Sequence, residues 1–410
     1  MISTSFRTFL FAFFFMLVLK SGYLKWIPIW VLDPLYVGFL GLGLLYFISP
    51  KTIPISKNIQ QILIILGALL TWIIFSCIYT SSPEIFKHKL LKTVLVFILF
   101  FIPFLFIRTK NDIKYFISIY NAYALIGALL VIRAFVMHKM EMFTIIGKQE
   151  ETAVPNYLFL SIFLCSALIL NLPKNKLPDI LFKLLLFISM VVLGARSPIL
   201  FGTLMIVVYY SLKYIVNVQK LVLFYGVLIG IGAVFLSWEG SERLIERFGS
   251  ITSVRGNKSF DTRVSYQSKS VDLILERPVF GTGFGSFARE MTGEDIIDTP
   301  HNLFLEIGFE TGIPGMILLI IFFVYLFNYM IKMIRKVRQQ EDKELLLRYG
   351  LIITYFFLTA FVSLYLSNSK DIFALSGCFL AICNALIFEE TRNKKSEPIY
   401  IVDHKMVREV

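Results

Sequence analysis

The sequence predicts an all-α integral membrane protein with about twelve transmembrane helices and one large helical loop on the outer side of the membrane. Hydrophobic residues make up 57% of the 410 residues and charged residues only 17%, whereas a soluble domain carries about 25% charged residues. The apolar residues form runs close to the ~20 residues that cross a hydrocarbon core. A single polar interval, 239–308, is far longer than the other connections.

The apolar runs divide the chain into four parts. The predicted parts are an N-terminal membrane bundle of about nine spans (1–238), a large outer loop (239–308), three C-terminal spans (309–389) and a cytoplasmic tail (390–410). The predicted spans lie at residues 6–23, 26–49, 59–79, 89–107, 113–136, 157–172, 178–195, 197–216, 219–238, 309–331, 349–367 and 371–389.

The distribution of Lys and Arg predicts the orientation of these spans. Alternate short connections are richer in Lys and Arg, which in membrane proteins marks the cytoplasmic side. This places both termini in the cytoplasm and the loop 239–308 outside. The same bias accounts for the net charge of +12 without a nucleic-acid partner, so the expected surroundings are a lipid bilayer.

Within the loop, residues 261–277 are predicted to form a helix with Asp261 as its N-cap, ended by Pro278. Arg263 would lie in its first turn, where the guanidinium and free backbone N–H groups can face one anion. Tyr266 follows on nearly the same face. The alternative for Arg263 is an ordinary ion pair with Asp or Glu.

Arg196 stands at the predicted outer end of a span and is followed by Pro198. A charge near membrane depth is costly and usually faces a cavity or a partner. The alternative is snorkelling to the interface, but Arg196 lies on the side that should be poor in positive charge. The position therefore favours a functional role.

His301 lies between Pro300 and Asn302 at the outer mouth of a predicted span. An imidazole titrates near pH 6.5 and can take a proton from a hydroxyl at neutral pH. The alternative is an exposed loop histidine without a role. The other three histidines lie at span edges or in the tail and are given no function.

Two further patterns give no site. Gly281-Thr-Gly-Phe-Gly285 resembles part of a phosphate-binding loop, but it lacks the strand–turn–helix context and is predicted to be a flexible turn. No His, Cys or carboxylate cluster has metal-ligand spacing, so neither a metal nor another cofactor is expected.

Two motifs carry a resemblance to a known family. The first is Arg-x-x-x-Leu at the end of a span, here Arg196 to Leu200. The second is His301-Asn302, nine residues, and then Gly312-Ile-Pro-Gly315. Together with an arginine in the large loop upstream of the histidine, matched by Arg263, they resemble the bacterial O-antigen ligase/polymerase family over most of the chain.

The resemblance implies a metal-independent, inverting glycosyl transfer from an undecaprenyl-diphosphate-linked glycan. Arg196 and Arg263 would hold the diphosphate and His301 would be the base, with Asn302 and Tyr266 as supporting residues. The acceptor would be lipid A–core for a ligase or another lipid-linked repeat unit for a polymerase, and no residue separates the two.

The resemblance also implies a place and further partners. The chain would be a multi-pass protein of the bacterial inner membrane with its active site facing the periplasm. It would act in lipopolysaccharide or exopolysaccharide biosynthesis, alongside other polysaccharide-assembly membrane proteins.

Three other functions stay open. A lipid-linked oligosaccharide flippase fits twelve spans, although such a transporter should show two related halves and charges lining a central cavity. A peptidoglycan polymerase of the shape, elongation, division and sporulation type would instead depend on a loop acid such as Asp295 or Asp298. A membrane scaffold without chemistry would leave Arg196 and the His301 motif unexplained.

Overall fold

The computed structural model describes residues 4–20, 33–48, 54–137, 157–172, 176–215, scattered positions between 217 and 226, 258–296 and 298–396. In these ranges every regular element is a helix. The helices are α1 (Thr4–Leu19), α2 (Pro34–Ile48), α3 (Lys57–Phe75), α4 (Pro83–Phe106), α5 (Lys110–Val136), α6 (Tyr157–Leu170), α7 (Leu177–Leu193), α8 (Arg196–Tyr214), α9 (Lys258–Glu276), α10 (Phe287–Thr292), α11 (Leu303–Lys336), α12 (Gln340–Ala360) and α13 (Lys370–Ser396).

Helices occupy every predicted span that falls in the described ranges. Five of them are long and apolar enough to cross a membrane: α3 with the 3₁₀ turn that extends it to Ile78, α4, α5, α11 and α13. This fits the predicted α-helical integral membrane protein. The count of twelve, the outer position of the loop and the four-part division stay predictions, and the span predicted at 219–238 lies outside the described residues except for scattered positions.

Local sequence signals set several helix ends. Pro83 opens α4, where its fixed φ suits the first turn. Thr109 and Asp112 form a reciprocal capping box at the start of α5. Gly194 closes α7 with a φ of 66°, a left-handed conformation that costs glycine little. Only Gly194 and Ala195 separate α7 from α8, so Arg196 begins a new helix.

The central packing joins α4, α11 and α13. Phe373 of α13 stacks on Phe97 of α4 and on Phe322 of α11, with ring centroids 5.9 and 5.5 Å apart. Gly377 lets α13 approach closely, because a Cβ there would lie 2.1 Å from the carbonyl oxygen of Phe100. Close backbone approach of this kind is typical of helices packed in membranes.

α11 is broken at Gly312, which has φ 75° and ψ 178°. The break leaves carbonyls unpaired, and the preceding loop uses them: Thr282 and Gly283 donate to the carbonyls of Phe309 and Glu310 at 3.0 and 2.9 Å. Ile313 in turn donates to Pro278 at 2.7 Å. The loop after α9 is therefore fastened into the broken helix.

The prediction of a turn at 281–285 is confirmed, but the turn is buried and tightly packed instead of flexible. All five residues are buried, and Gly281, Gly283 and Gly285 have φ between 69° and 97°. A Cβ at Gly283 would lie 2.2 Å from the Cα of Thr80, and one at Gly281 would lie 2.5 Å from the carbonyl oxygen of Phe309. The glycines permit close packing, which a periodicity argument does not detect.

The predicted start of the loop helix is also wrong. α9 already includes Lys258, so Asp261 lies within the helix instead of capping it, and Arg263 lies in the second turn. Aspartate is favourable both at an N-cap and in a first turn, so its presence does not fix the boundary. The end of the helix before Pro278 is as predicted. Ile274 of α9 packs with Phe287 and Phe309.

Candidate active site

Three separate elements carry the predicted site residues. Arg196 is the first residue of α8, Arg263 lies on α9, and His301 immediately precedes α11. Asn302 is the N-cap of α11, and its side-chain oxygen accepts hydrogen bonds from the backbone N–H groups of Phe304 and Leu305 at 3.0 and 3.1 Å. Asn302 thus fixes the chain directly after His301.

His301 has a φ of 55° and is the one described non-glycine residue with a positive φ. A branched or bulky L-residue seldom adopts this conformation, and such residues concentrate at functional sites. The capped helix start on one side and Pro300 on the other constrain the backbone at His301. A half-buried histidine with a constrained backbone is no longer an ordinary exposed loop residue.

Two charged groups of opposite sign act on the imidazole. Burial lowers the pKa of His301, and the positive charge of Arg263 lowers it further, whereas the carboxylate of Asp298 acts in the opposite direction. The net effect keeps the imidazole neutral at pH 7. A neutral imidazole can accept a proton, as a general base must.

Tyr266 of α9 lies near Asp298. Burial, and after it the Asp298 carboxylate, raise the pKa of Tyr266. Its ring packs edge-on against Phe287, with centroids 5.4 Å apart. Arg263, Tyr266, Asp298 and His301 therefore form one group, here called the His301 cluster.

Arg263 has an unused donor. Its Nη1 donates to the carbonyl oxygen of Val362 at 3.2 Å, while its buried Nε has no hydrogen-bond partner in the described part of the chain. An unsatisfied buried donor is rare and calls for an explanation. The alternative of an Asp or Glu ion pair is not found among the described residues.

Arg196 approaches the same region from another direction. The hydroxyl of the next residue, Ser197, lies 3.4 Å from that of Ser363, and Ser363 directly follows the Val362 that binds Arg263. The described residues offer Arg196 no hydrogen bond or ion pair. The turn at 362–363 therefore contacts both arginine-bearing helices, while convergence of the two guanidinium groups on one cavity stays a prediction.

The structure contains a second group of charged residues that the sequence analysis did not predict. Lys89 of α4 is buried between two carboxylates of α11: its Nζ lies 2.5 Å from Glu306 Oε1 and 2.6 Å from Glu310 Oε2. Glu306 also accepts a hydrogen bond from the backbone N–H of Leu366 at 2.7 Å. We call Lys89, Glu306 and Glu310 the Lys89 cluster.

A signal for the Lys89 cluster was present in the sequence. Glu306 and Glu310 are four residues apart, which puts them on one face of a helix, and both lie within a mainly apolar stretch. Lys89 lies at the start of an apolar run. Ionisable groups in such positions are usually paired. What the sequence alone does not supply is the pairing of α4 with α11.

Within the described ranges, no three His, Cys, Asp or Glu side chains are grouped so that they could hold a metal ion. Residues 181–320, about a third of the chain, match the model of the O-antigen ligase family. This finding supports the resemblance to the O-antigen ligase/polymerase family, and with it a glycosyl-transfer enzyme of a bacterial membrane.

The matched segment includes Arg196, Arg263, His301 and the Gly312–Gly315 motif. The residues that carried the resemblance and the residues of the His301 cluster thus fall in one matched segment. A comparison with curated proteins found no match.

Proposed function

We propose that the protein transfers an undecaprenyl-diphosphate-linked glycan to an acceptor, either lipid A–core or another lipid-linked repeat unit, at the periplasmic face of the bacterial inner membrane. The observation that carries this proposal is that Arg263 lies near enough to His301 to lower its pKa, while the buried Nε of Arg263 has no hydrogen-bond partner among the described residues. A neutral base and an anion-binding group would thus act side by side, inside the segment that matches the O-antigen ligase family.

His301 begins the reaction by taking the proton of the acceptor hydroxyl. The freed oxygen attacks the anomeric carbon of the donor sugar from the face opposite the diphosphate, so the configuration inverts. The bond from that carbon to the diphosphate oxygen breaks, and its electron pair stays with the diphosphate. The carboxylate of Asp298 stabilises the imidazolium that forms, and Tyr266 holds Asp298 through its hydroxyl.

Arg196 and Arg263 stabilise the leaving diphosphate. Their guanidinium groups remain charged at all relevant pH values and can form paired hydrogen bonds with phosphate oxygens. Negative charge increases on the diphosphate as the sugar–oxygen bond breaks, so fixed positive groups lower the energy of the transition state more than that of the bound substrate. In this proposal no metal is needed for the same purpose.

The Lys89 cluster favours a second candidate, a lipid-linked oligosaccharide flippase. Charged groups buried between spans often mark a transport path. A flippase moves its substrate between leaflets and makes no glycosidic bond. Transfer by the purified protein in detergent micelles, where no leaflets exist, would therefore exclude a flippase as the sole function.

The test uses the full chain purified in detergent. It is incubated with a synthetic undecaprenyl-diphosphate-linked repeat unit, either alone or with lipid A–core, and the products are measured by mass spectrometry. A longer lipid-linked glycan indicates a polymerase, and glycan on lipid A–core indicates a ligase. Arg196→Ala, Arg263→Ala and His301→Ala should abolish either product.

Arg335→Ala is the control, because Arg335 is an exposed residue near the other end of α11 and should leave transfer unchanged. No product from the wild-type protein with either acceptor would refute the proposed function. Undiminished transfer by all three site variants would refute the assignment of the residues.

A further inference from the structure

A small cavity lies beside the His301 cluster, on the side of Asp298. Asp298, Thr299, Tyr365, Ser367 and Lys89 are among the residues that line it. It has room for a group about the size of a water molecule. Because Asp298 also acts on the imidazole of His301, the cavity and the base share one wall.

The hydroxyl of Ser367 indicates that the cavity can bind a polar group. The residue is only 2% exposed, and its buried hydroxyl has no hydrogen-bond partner in the part of the chain that the structure describes. A buried hydroxyl without a partner is unfavourable, so such groups in folded proteins are nearly always satisfied by protein, water or a ligand. Ser367 and Asp298 line the same cavity.

The chemistry of the walls favours a neutral hydroxyl over an anion. The buried wall residues Ser367 and Thr299 are themselves hydroxyl groups, 2% and 4% exposed. Lys89 is compensated by the two carboxylates that bind it. Of the other charged wall residues, Lys92 attracts anions and Asp298 repels them, so the wall has no net preference for an anion. A sugar hydroxyl can accept a hydrogen bond from Ser367 and donate one to Asp298, which an anion cannot do.

We propose that this cavity receives one hydroxyl of the acceptor sugar, adjacent to the hydroxyl that His301 deprotonates, and thereby selects the acceptor. The inference rests on the proposed function. The acceptor is favoured over the donor because the cavity adjoins Asp298, the partner of the base, whereas the donor diphosphate is assigned to the arginines. Ser367 and Asp298 are the specificity-determining residues.

Although the cavity holds only one hydroxyl, it should discriminate strongly between acceptors with and without that hydroxyl. A site built to bond a hydroxyl rejects an analogue without that hydroxyl, because its own polar groups are then left unpaired. For this single pair of bonds we expect kcat/KM to fall by about tenfold or more when the hydroxyl is removed from the acceptor. The remaining hydroxyls of the acceptor should matter much less.

The test compares acceptors that each lack one hydroxyl, with wild-type protein and Ser367→Ala. For wild type, one deoxy acceptor should be poor. In Ser367→Ala the parent acceptor should lose rate while that deoxy acceptor does not, so that the ratio between them falls toward one. Ser161→Ala is the matched control, because Ser161 on α6 is also buried without a partner but does not line this cavity.

A folding defect is tested separately. Ser367→Ala removes an unsatisfied hydroxyl, so its thermal unfolding midpoint should equal or exceed that of wild type. Equal use of all deoxy acceptors by wild type, or unchanged discrimination by Ser367→Ala, would mean that the cavity holds a structural water only and would overturn the inference.

An anion site is the remaining outcome that would overturn the inference. It would show as competitive inhibition by inorganic phosphate that Lys92→Ala abolishes, because Lys92 also lines the cavity. Absence of any transfer by wild-type protein would instead refute the proposed function, and the inference with it.

Discussion

Two groups of charged residues lie near the start of α11, and they differ in how far their charges are compensated by ion pairs. In the Lys89 cluster the side chains of the two acids are 0% exposed and that of Lys89 is 5% exposed, and the ammonium contacts both acids. In the His301 cluster the imidazole is half-buried, and Arg263 has no carboxylate partner and an unbonded Nε among the described residues.

The difference indicates which group holds the fold and which meets a substrate. Lys89 bonds α4 to α11 and, through Glu306 and the backbone of Leu366, to the turn at 366–368. It also lies over the ring of Phe284, 4.5 Å from the centroid, next to the glycine-rich turn. The Lys89 cluster thus positions the elements around the site, while the His301 cluster retains bonding capacity for a ligand.

The largest expected effect comes from His301. His301→Ala should lower the transfer rate by about 10²- to 10⁴-fold, because the acceptor hydroxyl loses its general base. The thermal unfolding midpoint should change little, because alanine, like histidine, is a non-glycine residue at this positive φ and no hydrogen bond of the described residues is lost. Transfer is measured with the purified protein and a lipid-linked substrate.

His301→Gln is a second variant that keeps the polarity without the basicity. Retention of near-wild-type transfer by both variants would contradict the assignment of His301. If transfer instead depended on Asp295 or Asp298 alone, the peptidoglycan polymerase alternative would be favoured.

Arg263 comes next and tests the unsatisfied donor directly. Arg263→Lys keeps the positive charge but loses the planar fork, so paired bonding to a diphosphate is no longer available. We expect about a 10²-fold loss of transfer, of the size found when one transition-state donor is removed. Single-turnover rates at saturating donor should show the loss.

The control for Arg263→Lys is Arg277→Lys on the same segment, because Arg277 is exposed and its nearest carboxylate, on Glu290, is 3.9 Å away. Equal rates for Arg263→Lys and wild type would remove Arg263 from the diphosphate site.

Substitutions in the Lys89 cluster should lower the stability of the fold and should not act on the transfer reaction directly. Lys89→Met leaves Glu306 and Glu310 buried side by side without their cation, and breaking a buried pair in this way costs about 3–5 kcal/mol. The thermal unfolding midpoint in detergent should fall clearly, and Glu310→Gln added to Lys89→Met should recover part of the loss.

Lys87→Met is the matched control on the same helix. Lys87 pairs with Glu84 at 2.7 Å on an exposed surface, with side chains 70% and 81% exposed, so no measurable change in the midpoint is expected. A Lys89→Met protein as stable as wild type but unable to transfer would place Lys89 in the reaction and contradict the comparison.

Much of this arrangement could be predicted from the sequence because it depends on local patterns. Long apolar runs gave the helices, and the His301 motif identified the segment that the O-antigen ligase family model matches. Pro278 ended α9 as expected. The structure explains why the first residue of the Gly-x-x-Gly motif is glycine. Gly312 breaks α11, and a Cβ there would lie 2.3 Å from the carbonyl oxygen of Val279.

The features that the sequence did not predict depend on contacts between distant segments. Nothing near Gly281 or Gly283 in sequence shows that the turn packs into the break of α11. The pairing of Lys89 with Glu306 joins residues 217 positions apart, and Asp298 acquires its importance from Tyr266 on α9. Periodicity and spacing describe one element at a time, so such contacts escape them.

The smallest expected effect concerns Asp298 and the pH dependence of transfer. Transfer requires neutral His301, so it should be complete above the pKa of His301 in the folded protein and be lost as the pH falls through that pKa. The Asp298 carboxylate raises this pKa, while burial and Arg263 lower it more. Asp298→Asn should therefore move the acidic limb of the pH–rate profile to lower pH.

The plateau rate of Asp298→Asn should also fall, by roughly tenfold, because the imidazolium formed in the reaction loses its counter-charge. Asp295→Asn is the control, since Asp295 lies near an exposed Arg289, at 3.4 Å, and should leave both limb and plateau in place. A limb that moves to higher pH in Asp298→Asn, or moves equally in both variants, would mean that Asp298 does not act on the base. The shift in the pH profile also separates this role from a purely structural one, which would lower the rate at every pH alike.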